Sequence, residues 1–94
     1  MAEKKYNSWL PPPYEPADAS AMQALVIGEA DGDQQKRALK WIIESASSTY
    51  DLSFRPGSDG DRETAFAEGR RFVGLNVVKL TRLNVSKLVR KQNG

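Results

Sequence analysis

The sequence predicts an all-α fold, and three observations predict it. Apolar residues recur at three- and four-residue spacings over long stretches. No segment shows the strict alternation or the Val/Ile/Thr clustering of paired strands. Finally, Gly, Pro and Asp cluster between the periodic stretches, where helices start and stop. The expected architecture is a helical hairpin, about 34–50 and 62–83, with a short N-terminal helix, a basic C-terminal helix and an extended Pro-rich N-terminal arm. Residues 1–17 are expected to form the arm and 18–94 a single small helical domain.

In the arm, Pro11, Pro12, Pro13 and Pro16 remove amide donors and favour polyproline geometry. Trp9, Leu10 and Tyr14 are too apolar for a solvated linker, so the arm is expected to lie on this domain or on a neighbour. Asp18 suits the cap of a first helix through about Glu29, with Met22, Leu25 and Val26 on one side. Asp31-Gly32-Asp33 then opens a stronger helix from Gln34 to about Tyr50, in which Leu39, Ile42, Ile43, Ala46 and Tyr50 share a face expected to be core. Trp41 falls opposite that face. It either covers the arm or another helix of the chain, or anchors a different molecule.

The loop 51–60 carries a Pro56-Gly57 turn, with Leu52 and Phe54 expected to fold back onto the core. Asp61 is placed to cap the long helix, Asn84 to end or kink it, and Val85 to about Lys91 to form a basic tail helix. Within the long helix, Phe66, Gly69, Phe72, Val73, Val77, Leu80 and Leu83 share an arc expected to pack on the Leu39/Ile43 face. Ala67, Gly74 and Thr81 make a separate ridge of small residues, and Leu75 and Val78 lie among Arg71, Lys79 and Arg82. Two glycines in one helix disfavour it by about 2 kcal/mol relative to alanine, which implies close packing. Gly69 borders the internal arc and is expected to serve the fold. Gly74, beside Leu75 and Val78, is expected to serve assembly.

Composition narrows the chemistry. The chain has no His and no Cys, which removes the commonest general base, the thiol nucleophile and the usual soft metal ligands. Asp59, Asp61 and Glu63 imitate the start of a calcium loop, yet Thr64 stands at its glycine position and Arg70 at its bidentate acid. No catalytic residue, cofactor, metal or small-molecule substrate is expected, and neither is an enzyme. No apolar run is long enough to span a membrane, and the first residues lack the apolar core of a signal peptide.

Charge is unevenly spread. Arg70, Arg71, Lys79, Arg82, Lys87, Arg90 and Lys91 follow Gly69 without one acid, which allows contact with nucleic acid, although the loop before the long helix is too long for a helix-turn-helix. Pro11-Pro12-Pro13-Tyr14 matches PPxY, the ligand of WW domains, a short motif that also arises by chance in proline-rich arms.

Two blocks, RALKWIIESASSTYDLSFRPG and TAFAEGRRFVGLNVVKL, resemble a family of small proteins encoded by tailed bacteriophages and prophages, typified by a protein of a Bordetella podophage. The family pattern has a first helix ending in an aromatic and an SF segment, then a helix opening with F-x-E-G-R-R-x-V-G-L. Those positions are Ser53 and Phe54, then Phe66, Glu68, Gly69, Arg70, Arg71, Val73, Gly74 and Leu75. The resemblance covers about residues 33–80 and omits the arm and the basic tail. It implies a phage product of the structural and packaging region with no enzymatic activity. The expectation is therefore a virion component, made in the host cytoplasm, that contacts portal, neck or capsid proteins or copies of itself. Trp9, Tyr14, Trp41, Gly74, Leu75 and Val78 are the expected protein contacts. The alternatives are a DNA-associated internal or packaging protein using the basic end, and a PPxY peptide ligand.

Overall fold

A computed structural model describes the backbone of residues 10–93 and the side chains of 10–89. Trp9 and the side chains of Arg90 and Lys91 lie outside the described residues. Helix α1 spans Pro16–Val26 and α2 spans Gly32–Lys40, which runs on without a break into a π-helical segment, Trp41–Ala46. Helix α3 spans Gly60–Arg82 and α4 Val85–Asn93. Among the described residues there is no strand, so the all-α expectation holds.

The helix ends follow local chemistry. Glu15, not Asp18, occupies the cap of α1, and Pro16 sits at its first position, where a missing N–H is harmless. Asp18 is instead the reciprocal partner, its carboxylate accepting the Glu15 N–H at 2.8 Å. Gly28 ends the helix in the left-handed region (φ +74°) rather than sitting inside it. Within the expected turn it is Asp31 that caps α2, which starts at Gly32 rather than Gln34: its carboxylate accepts the Gln34 N–H at 2.8 Å, while the Gln34 side chain accepts the Asp31 N–H at 3.0 Å. Asp59, not Asp61, precedes α3, and Asp61 stands in its first turn. Leu83 breaks α3 with extended backbone, after which the Asn84 side-chain Oδ1 accepts the Lys87 N–H at 3.2 Å and starts α4.

Helix α1 packs on α2, with its N-terminal end against the C-terminal half of its partner. Arg37 Nε donates to Asp18 at 2.8 Å and its Nη2 to Glu15 at 3.0 Å. The Glu15 amide, and behind it Arg37, hold the Asp18 carboxyl below the usual aspartate range, against the opposing effect of its burial. Because the folded value is depressed, its stabilisation is complete above the unfolded pKa, about 4, and disappears as pH falls through the folded value. Circular dichroism during acidification should therefore show an acid-induced loosening of α1 that Asp18→Asn, already weaker at neutral pH, no longer shows. An identical acid transition in that variant would remove Asp18 from the explanation.

Helix α3 meets the π segment, and its first turns also meet the preceding loop, where the Arg55 N–H donates to Thr64 Oγ1 at 2.9 Å. The two long elements of the expected hairpin thus touch at the end of the first. The side chains at that crossing are small or polar. Among the described residues the buried apolar ones are Ala21, Ala38 and Ala67, and the largest fully buried side chain is Thr49. The expected core faces are corrected accordingly. Leu39, Tyr50, Leu52 and Phe54 are exposed, and so are Phe66, Phe72, Val73 and Leu80. The face of α3 that turns inward carries Glu63, Ala67, Arg70 and Gly74 instead.

The molecule is thin. It measures 55 × 35 × 16 Å with a radius of gyration of 17.0 Å, against about 12 Å for a globular domain of this length. Among the described residues no leucine or phenylalanine is buried.

Candidate assembly surface

The surface is organised by the crossing at Gly74. The π segment closes with hydrogen bonds wider than those of an α-helix: Ser47 N–H donates to the Ile42 carbonyl at 3.0 Å, and Thr49 N–H to that of Ile43 at 3.1 Å. Ser48 then takes a left-handed conformation (φ +48°), and the chain turns away. This presents Ser47 and Thr49 to α3. A methyl group at Gly74 would lie 2.7 Å from Ser47 Cβ and 3.0 Å from Thr49 Cβ, and would overlap Thr49 Oγ1. At Gly69, by contrast, a methyl group would meet nothing within 4 Å. The roles expected of the two glycines are corrected by this difference in space. Gly74 serves the internal crossing, and Gly69 opens onto the outer surface.

Arg70 is also turned inward. Its Nε donates to the Ala46 carbonyl at 2.9 Å, and its Nη2 to the Ser45 carbonyl at 3.1 Å and to Ser48 Oγ at 3.3 Å. Those carbonyls end the π segment and have no next helical turn to bond to, so the guanidinium stands in for it. Arg70 is therefore removed from the group offered to nucleic acid. Arg71 pairs with Glu68 at 3.3 Å on the surface. Lys79, Arg82 and Lys87 are exposed.

Trp41 meets the arm. Its indole Nε1 donates to the Pro13 carbonyl at 3.0 Å, the first of the two roles open to it from the sequence. Residues 10–15 run beside the π segment, where Leu10 and the three prolines border a groove closed by Glu44, Ser48 and Arg70. On the other side of Trp41, Tyr14, Met22 and Ala19 line a shallow apolar groove of about 270 Å³. Tyr14 is 70 % exposed above it.

Leu75 is exposed beside Phe72, Glu68 and Arg71, and Val78 is half-buried. The larger apolar surface is one the sequence pattern had assigned to the interior: Phe66, Val73 and Leu80, at intervals of seven, with Phe72 beside them. The interval of seven is visible in the sequence. What misled was the assumption that the widest apolar arc must face inward. In this chain Ala67 and Gly74 of the narrow ridge of small residues do so, while Thr81 of that ridge is exposed.

Among the described residues no group of three or more His, Cys, Asp or Glu is placed to hold a metal ion. No helix among the described residues is long and apolar enough to cross a membrane. Comparison with protein-family models, curated proteins and solved structures finds no match to this chain.

Proposed function

We propose that this chain is a non-enzymatic structural component of a bacteriophage virion, assembled in the host cytoplasm and acting through protein–protein contacts in the portal, neck or head. The observation that carries the assembly part of this reading is the distribution of apolar side chains. Among the described residues the buried apolar ones are three alanines, while Phe66, Phe72, Val73 and Leu80 are 46–69 % exposed along a single helix. Burying one such side chain is worth roughly 1.5–3 kcal/mol, so this surface favours association over isolation. The virion part rests on the resemblance carried by Phe66, Glu68, Gly69, Arg70, Arg71, Val73, Gly74 and Leu75.

Co-expression with the neighbouring structural genes, followed by mass spectrometry of purified particles, tests it. The protein should be found in the particles in fixed stoichiometry, and Leu75→Glu should reduce its incorporation. Absence from particles rejects the reading.

The second reading, contact with DNA inside the particle, draws on the exposed Lys79, Arg82 and Lys87. Three phosphate contacts give a log–log salt slope of about −2.7 on duplex DNA. Absent or salt-independent binding disposes of this alternative.

A further inference from the structure

We propose that α3 pairs antiparallel with α3 of a second copy of this chain, about a two-fold axis beside Val73. This pairing does not depend on any virion.

Phe66, Val73 and Leu80 recur at seven-residue intervals on one side of α3 and are 46 %, 55 % and 69 % exposed. That interval makes the straight seam of two helices packed side by side. Phe72 widens the seam on one flank. Gly69 lies in it between Phe66 and Val73. A glycine weakens a mid-helix turn, and here none of the described residues of the same chain comes near enough to require one. A neighbouring helix does require it, since the missing side chain leaves a notch for an opposing one.

The occupant and its direction follow from self-complementarity. A two-fold axis at Val73 sets Phe66 of each copy against Leu80 of the other and Val73 against itself, so the large residues of one half cover those of the other. Along the flank that carries Phe72, the charges run Asp61, Glu68, Lys79 from acid to base. The antiparallel arrangement brings Lys79 of one copy opposite Glu68 of the other, and the two helix dipoles oppose. An isologous contact of this kind closes on itself as a dimer. It also covers apolar side chains that the single chain leaves exposed.

Sedimentation equilibrium on the full chain should give a mass rising with concentration towards twice 10.4 kDa. Val73→Asp sets two carboxylates against each other at the axis and should weaken the dimer by about a hundredfold. Its helix content should remain unchanged, because Val73 is largely exposed in the single chain. Direction is read by cross-linking, which the absence of native cysteine makes unambiguous. Phe66→Cys mixed with Leu80→Cys should form the mixed disulfide, and neither variant alone should link to itself. A mass of 10.4 kDa at every concentration overturns the pairing, even for a protein that enters particles. So does a dimer indifferent to Val73→Asp, or self-linking of Phe66→Cys alone.

Discussion

Gly74→Ala should destabilise the fold by about 2 kcal/mol, although alanine is the better helix former by about 1 kcal/mol. The added methyl has nowhere to go. It would overlap Thr49 Oγ1 and stand 2.7 Å from Ser47 Cβ and 3.0 Å from Thr49 Cβ. Rotating Thr49 is no escape: its hydroxyl donates to the Ile43 carbonyl at 2.7 Å, the side chain is buried, and its Cβ remains too close. The helix must therefore lift off the π segment. Gly69→Ala is the internal control, since it meets nothing and should raise the stability of the monomer by up to about 1 kcal/mol. Urea unfolding of both variants at low protein concentration tests the pair, with midpoints moving in opposite directions. A further change of Thr49 to Gly in the Gly74→Ala background removes two of the three close contacts and should recover part of the loss. Equal stability of Gly74→Ala and wild type would mean that α3 does not cross at that point.

The sequence made the class of structure legible because helix class depends on local signals. The spacing of apolar residues, the Asp31 cap and the break at Asn84 each act within a turn or two, and each reappears in the structure. Which face turns inward was not legible, for a physical reason. Periodicity locates an apolar stripe but does not say whether its cover comes from the same chain. In a domain with a large core the widest stripe faces inward, and Phe66, Val73 and Leu80 were assigned on that basis. Here the crossing is set by backbone proximity, which selects Ala67 and Gly74, and by the π segment, which has no sequence signature of its own. Two of the contact residues expected from the sequence changed meaning with the crossing, as Gly74 was claimed by Thr49 and Arg70 by the carbonyls of Ser45 and Ala46.

Arg70→Ala should be the other strongly destabilising change, by about 2–3 kcal/mol, because hydrogen bonds from a charged donor are worth about 1.5–3 kcal/mol each and do not add fully. The substitution leaves the Ser45 and Ala46 carbonyls at a half-buried helix end without the guanidinium, and Ser48 Oγ with them. Ser48 holds a backbone conformation that non-glycine residues adopt rarely, so its turn depends on such support. Arg70→Lys should recover less than half of the loss, since an ammonium cannot span two carbonyls and a hydroxyl as the planar fork does. Limited proteolysis reads the effect where it arises, as faster cleavage between Ser47 and Asp59, and thermal unfolding gives its size. A purely surface role in phosphate binding makes the opposite forecast: unchanged stability and proteolysis, full rescue by lysine, and a shallower salt dependence of DNA binding. That outcome would return Arg70 to the solvent. The expected one fixes α3 to the end of the π segment at two successive turns, Arg70 and Gly74, and so holds the Phe66–Leu80 stripe at a set angle for whatever meets it.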